Sequence, residues 1–107
     1  MLQVIKSEIL NFFEKNHKDL FEEIINHFKI SIKNPDNDLF DELRDHYCLE
    51  SLSWQNYSIE YEVYQDDNYS IYVKIAIFDS DKMIGTYKHW KTEDGEIIDD
   101  FFTLFDY

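Results

Sequence analysis

The spacing of apolar side chains changes near residue 54, and this change limits the folds open to the chain. Before that point, apolar residues recur every three or four positions, as on one face of a helix. After it, apolar and polar residues alternate, as on the two faces of a strand. Helices followed by strands are typical of the α+β class, in which helices cover one face of an antiparallel sheet.

The first half of the chain carries the helical spacing in three segments. Residues 2–15 and 18–30 each predict a helix, with residues 16–17 as a break between them. Asp38 is a residue type that often caps helices, and it predicts the start of a third helix at 39–48. We therefore expect two or three N-terminal helices packed on one face of the sheet.

The second half predicts an antiparallel meander of three to four strands. Alternation predicts strands at 57–64, 69–77 and 83–91, joined by short turns rich in aspartate and asparagine. Residues 96–105 are compatible with a fourth strand or with a short helix. The pair at 99–100, two aspartates, interrupts the alternation there, and a strand would turn one of them toward the core.

The length of 107 residues predicts a single domain, 1–107, with its helical part at 1–50 and its sheet at 51–107. Apolar runs are only a few residues long, far below the roughly 20 that span a bilayer. The N-terminus lacks the pattern of a signal peptide. Cys48 is the single cysteine and cannot form an internal disulfide, so we expect a cytoplasmic protein. The short apolar runs and the acidic charge predict no contact with a membrane.

The net charge of −13 is unevenly distributed. Residues 1–34 are neutral overall, residues 35–50 carry −5, and residues 51–107 carry −8. Such a field repels nucleic acid and anionic membranes and attracts basic protein surfaces. The partner predicted on this basis is a basic protein, without direct binding of nucleic acid. Acidity that only keeps a small domain soluble is the other interpretation.

Motifs for catalysis or cofactor binding are missing from the sequence. The four histidines and Cys48 lack metal-ligand spacing, and no phosphate-binding glycine loop occurs. We therefore expect no cofactor, no metal and no enzymatic activity. A small enzyme that uses Glu60, Glu62 or Asp99 together with His89 remains a competing hypothesis, and it needs a pocket that joins these groups.

Odd-numbered positions of the first two strands are the more apolar, so they are predicted to face the helices. The even-numbered positions would form an outer face with tyrosines and carboxylates, and continued alternation would add Ile84, Thr86, Lys88 and Trp90. Large rigid aromatics favour protein contact. The candidate partner-binding residues are the aromatic and acidic side chains of this face and of the turns: Glu60, Glu62, Tyr64, Asp66, Asp67, Tyr72, Asp79, Asp81, Trp90, Glu93 and Asp94.

The C-terminal part of the chain contains Gly85-Thr86-Tyr87 and, further on, the segment from Glu93 to Phe102. In this segment Asp99-Asp100 precedes two phenylalanines. With the compact acidic layout and the aspartates in turns, the chain resembles in overall style the small immunity proteins of bacterial toxin systems, including contact-dependent growth inhibition. The resemblance implies a cytoplasmic protein that binds and neutralises a cognate toxin domain, such as a nuclease with a basic cleft.

Two functions therefore follow from the sequence. The first is an immunity protein of this kind, which we expect to be a monomer or weak dimer. The second is an acidic nucleic-acid mimic that inhibits a nucleic-acid-binding protein of a host or of phage defence. A mimic requires carboxylates at phosphate-like spacing along one face, so the arrangement of the acids in three dimensions separates the two functions.

Overall fold

The computed structural model describes residues 7–66, 68–92 and 94–105, with side chains from Lys18 onward. Its elements confirm an α+β chain with the helices N-terminal to an antiparallel sheet in the order β1-β2-β3-β4. In this described part, no helix is long and apolar enough to span a membrane. The elements are α1 (Ser7–Ser31), α2 (Asp41–His46), β1 (Leu52–Val63), β2 (Tyr69–Asp79), β3 (Lys82–Thr92) and β4 (Ile97–Leu104).

The first helix, α1, runs without interruption from Ser7 to Ser31, so the predicted break at 16–17 is wrong. Asparagine and histidine lower helix propensity by well under about 1 kcal/mol each, which tertiary packing overrides. Leu20, Ile24 and Phe28 form the buried stripe that provides this packing. Residues 2–6 of the first predicted helix lie outside the described residues.

The third predicted helix, 39–48, is shorter than expected. A 3₁₀ turn at Asp38–Phe40 precedes α2, and Asn37 takes the capping role predicted for Asp38. The Asn37 side chain accepts a hydrogen bond from the backbone N–H of Leu39 at 3.2 Å. Arg44 then ties α2 to the end of α1 by donating to the Ser31 carbonyl at 3.3 Å.

The predicted parity holds in β2, one of the two central strands. The odd-numbered residues of β2 from Ile71 to Ile77 are buried. They form one core with the apolar stripe of α1 and with Phe40 and Leu43 around α2. The Phe28 ring contacts the rings of Phe40, Trp54 and Tyr87, so it joins the helices to both β1 and β3.

A β-bulge in β1 overturns the predicted orientation of Tyr57. The register with β2 shifts between Asn56 and Ser58, so Tyr57 has no opposite partner. Before the shift, even-numbered positions of β1 face the core, and Trp54 pairs with Ile77; after the shift, odd-numbered positions face the core. Tyr57 was predicted to face the helices but is 56% exposed, because one extra residue reverses the alternation.

Register also determines which residues of β3 and β4 face the core. Thr86, Lys88 and Trp90 pair with the even-numbered residues of β2, but Ile84 lies beyond a shift next to Ile77 and is buried instead of joining the outer face. Residues 96–105 contain a strand, β4, which resolves the alternative left open by the sequence. Asp100 pairs with buried His89, so it is the inward aspartate of the pair.

Gly85 marks the closest approach of β3 and β4. A Cβ atom at this position would overlap the backbone carbonyl oxygen of Thr103. Gly85→Ala is therefore expected to push β4 away and to lower the free energy of unfolding by about 2 kcal/mol. Urea unfolding measures the loss, with Thr86→Ala as the neighbouring control. A G85A protein as stable as the wild type would contradict this reading of the strand contact.

Candidate functional site

The side of the sheet opposite the core forms a surface that we call the outer face. It holds even-numbered residues of β2, of β3 and of β1 after its bulge, and odd-numbered residues of β4. Register places on it residues of all four strands. Tyr57, from the β1 bulge, joins it, since the Lys74 ammonium lies over its ring. Its members are Ser58, Glu60, Glu62, Ser70, Tyr72, Lys74, Ala76, Thr86, Lys88, Trp90, Asp99, Phe101 and Thr103, together with Tyr57.

Stacked aromatic rings occupy the middle of the outer face. Tyr72 and Trp90 are direct cross-strand partners, with ring centres 6.0 Å apart and planes inclined by only 10°. The Tyr72 hydroxyl donates to Glu62 Oε2 at 3.3 Å. Partial burial and then the nearby Glu62 carboxylate raise the pKa of Tyr72, so the phenol keeps the proton that it donates. The Tyr72 ring is thus held between the Trp90 ring and the Glu62 carboxylate.

Two lysines lie beside these rings. Lys74 and Lys88 are direct cross-strand partners. The Lys88 ammonium is 5.4 Å from the centre of the Tyr72 ring and 5.0 Å from that of Phe101, and the Lys74 ammonium is 5.9 Å from that of Tyr57. Cation–π contact of this kind orients an ammonium without neutralising it. Neither ammonium forms an ion pair with a carboxylate of the described residues.

Five of the predicted partner-binding residues meet on the outer face. Glu60, Glu62, Tyr72 and Trp90 belong to it by register. Tyr64 lies just beyond β1, and its hydroxyl oxygen lies 2.9 Å from Ser70 Oγ, which brings the ring over the same surface.

The remaining predicted residues lie at the two ends of the sheet and do not form one patch. Asp66 and Asp94 occupy turns at the end nearest Glu62, whereas Asp79 and Asp81 are at the opposite end. Asp79 accepts a hydrogen bond from Ser51 Oγ at 2.7 Å, which indicates a role in the fold. The other two predicted residues, Asp67 and Glu93, lie outside the described residues.

Two exposed rings of this surface were not predicted from the sequence. Tyr57 is on it because of the β1 bulge, and Phe101, 41% exposed, because residues 97–104 form a strand with Asp100 turned inward. The Asp99-Asp100 pair was a usable signal for Phe101, since fixing Asp100 inward fixes Phe101 outward. The bulge at Tyr57 had no such signal.

The residues of the enzymatic hypothesis are not brought together. Glu60, Glu62 and Asp99 belong to the outer face, whereas His89 is buried on the core side of the sheet at 1% exposure. The sheet itself separates the carboxylates from the imidazole.

His89 belongs instead to a buried polar cluster beneath α1. Its Nε2 lies 2.9 Å from the Tyr87 hydroxyl, which donates to Asp100 Oδ2 at 2.8 Å. Burial, followed by the nearby His27, lowers the pKa of His89 to about 4. Burial and the Asp100 hydrogen bond raise the pKa of Tyr87. Beside them, the Lys91 ammonium pairs with Glu23 at 2.8 Å.

Neither a metal-binding cluster among the described residues nor a similarity to a known protein indicates another site. Among the residues that the structure describes, no group of three or more histidine, cysteine, aspartate or glutamate side chains is placed to hold a metal ion. No family model, curated protein or solved structure matches the chain. The outer face is therefore the candidate functional site of the described residues.

Proposed function

We propose that this chain is an immunity-type inhibitor that binds a basic protein through the outer face, the partner being a toxin domain such as a nuclease. One observation carries the proposal: an open sheet face holds a stacked Tyr72–Trp90 pair with exposed rings around it. Contiguous exposed aromatics on a soluble domain are typical of protein interfaces. Rings already fixed in place lose little conformational entropy when a partner covers them.

Charge supports a basic partner. The chain carries −13, and residues 51–107, which include the sheet, carry −8 of it. Glu60, Glu62 and Asp99 lie on the outer face, and Asp66 and Asp94 lie in turns at one of its ends. A field of this sign accelerates association with a cationic surface, and covered aromatics slow dissociation. We propose that the protein acts in the cytoplasm as a monomer or weak dimer.

The arrangement of charge favours this function over nucleic-acid mimicry. A mimic needs carboxylates in an uninterrupted array along one face. On the outer face, Lys74 and Lys88 occupy the two central strands, between the glutamates of β1 and Asp99 of β4. The two lysines therefore interrupt, at its centre, the run of carboxylates that a mimic of the phosphate backbone needs.

Two exposed rings provide the test. Tyr57→Ser with Phe101→Ser should leave the fold intact and weaken partner binding by roughly 100-fold, since interface aromatics often contribute about 1–2 kcal/mol each. The protein is used as bait in lysate of the organism that encodes it, and the captured protein is then purified for measurement of its affinity. Ile30→Ser is the matched control, because Ile30 is 71% exposed but lies on α1.

The same partner must also show electrostatic steering. Its association rate should fall at least tenfold between about 50 and 500 mM salt, whereas its dissociation rate should change little. A captured protein that binds the double serine variant as tightly as the wild type does not use the outer face, and the proposal fails. A partner with an acidic binding surface would also refute it.

A further inference from the structure

We propose that the partner places one acidic side chain between Lys74 and Lys88, so that the outer face recognises a carboxylate set within a basic surface. This inference rests on the proposed function and specifies the chemistry of the partner at that site. Its basis is the juxtaposition of two lysines at the centre of an otherwise acidic and aromatic face.

The placement of the lysines is unexpected for so acidic a sequence. Only four lysines follow residue 50, and they have different environments. Lys91 is buried and paired with Glu23, and Lys82 is exposed where β3 begins after the β2–β3 turn. The other two, Lys74 and Lys88, face each other directly on the two central strands of the sheet. Half of the available cations are therefore concentrated at one point of the outer face.

Direct pairing of like charges opposes folding. Cross-strand partners have Cβ atoms about 4.5–5.5 Å apart, and like charges on directly opposite residues are destabilising. The aromatic contacts of these lysines attract each ammonium but leave its positive charge in place. A single carboxylate between the two ammonium groups would remove the repulsion and gain two charge-assisted hydrogen bonds.

The surrounding charges define what carries that carboxylate. Next to Lys74 along the sheet, Glu60 pairs with Tyr72, and next to Lys88, Asp99 pairs with Trp90. An acidic surface or a nucleic acid would meet these carboxylates and be repelled, and a surface with cations alone would meet the two lysines. The pattern fits a basic surface with one acidic side chain at its centre, and it gives a means of rejecting other basic proteins.

Two peptides test this pattern directly. One has the sequence acetyl-Lys-Lys-Ala-Glu-Ala-Lys-Lys-amide, and its match has glutamine in place of glutamate. Binding is followed by NMR through the Trp90 indole N–H and the backbone amides of Lys74 and Lys88. We expect the glutamate peptide to bind about fivefold more tightly, although it carries less positive charge and simple attraction to an acidic protein favours the glutamine peptide.

Matched variants assign the preference to the lysine pair. Lys88→Met keeps most of the side-chain stem and removes the charge, so it should abolish the preference for the glutamate peptide. Lys82→Met makes the same change in net charge at the β2–β3 turn and should preserve the preference. Equal binding of the two peptides, or tighter binding of the glutamine peptide, overturns the inference while leaving the basic partner in place. No shift on the outer face with either peptide overturns the inference alone, because the capture experiment decides the proposed function independently.

Discussion

Replacing Glu23 by glutamine is expected to lower the free energy of unfolding by about 3 kcal/mol, although the Glu23 side chain on α1 is 44% exposed. The reason is its partner. The Lys91 ammonium is 2.8 Å from Glu23 Oε2, and the Lys91 side chain is only 2% exposed. Glutamine removes the compensating charge and leaves the ammonium buried, and an uncompensated buried charge is among the costliest defects in a fold.

Replacing the other partner of the ion pair should change the free energy of unfolding only slightly. Lys91→Met removes the buried charge together with its desolvation penalty and leaves Glu23, whose side chain is 44% exposed, to be solvated by water, so we expect a change of less than about 1 kcal/mol. The two halves of one ion pair thus have unequal effects. Glu22→Gln is the control on the same helix, because Glu22 pairs with Lys18 at 3.9 Å and both side chains are largely exposed.

Urea unfolding at neutral pH compares the three variants with the wild type. A loss with Glu22→Gln as large as that with Glu23→Gln would mean that helix charge in general, and not the buried ammonium, sets the stability. A Lys91→Met protein less stable than the Glu23→Gln protein would show that the ammonium itself stabilises the fold. Either result would change the account of how α1 is held on the sheet.

Acid is expected to weaken the fold through His89. Burial, and then the nearby His27, lower its pKa from 6.5 to about 4, with a further lowering by Lys91 and opposing contributions from Asp100 and Glu23. The hydrogen-bond arrangement also disfavours the charged form of His89, because only one of its ring nitrogens has a hydrogen-bond partner in the described part of the chain. Tyr87 uses its proton on Asp100, so Nε2 of His89 donates to the Tyr87 oxygen. Its Nδ1 is buried without a hydrogen-bond partner among the described residues, and protonation would place an unsatisfied N–H there.

The direction of the pH effect follows from the two protonation states. In the unfolded chain His89 binds a proton below pH 6.5, whereas in the folded chain it does so only below about 4. Protons therefore stabilise the unfolded state between these values. The stability associated with a neutral His89 is complete above pH 6.5 and is lost as the pH falls to about 4, by roughly 3 kcal/mol in total at 1.4 kcal/mol per pKa unit.

A variant isolates this contribution from the titration of the many carboxylates. The amide of His89→Gln keeps a donor for the Tyr87 oxygen but does not titrate. Unfolding free energies of both proteins, measured between pH 7 and pH 4.5, should show the wild type losing more stability on acidification than the variant. His46→Gln, at an exposed position on α2, provides the comparison for loss of a histidine outside the buried cluster. Parallel curves for wild type and His89→Gln would mean that His89 does not titrate differently in the two states.

The sequence pattern predicted burial correctly where burial depends only on the periodicity of a single helix or strand. The stripe of α1 and the odd-numbered residues of β2 each follow from their own periodicity, because one face of each element meets the core. The error at residues 16–17 has a physical cause as well: weak helix formers do not end a helix whose apolar stripe continues past them.

The candidate site was predictable only in part. Glu60, Glu62, Tyr72 and Trp90 share a face because alternation holds in their strands. Tyr57 and Ile84 were misplaced because each lies at a register shift, where one extra residue reverses the alternation. A bulge depends on the hydrogen bonds of the partner strand, which the local sequence does not record.

The sequence by itself determined the α+β order of elements, the inward face of β2 and the concentration of negative charge after residue 34. Tertiary structure alone decided that Lys74 faces Lys88 and that Lys91 is buried against Glu23. Both results depend on distances between residues remote in sequence, set by strand register and by the seat of α1 on the sheet. Periodicity reports which way a side chain points, and only packing determines what it meets there.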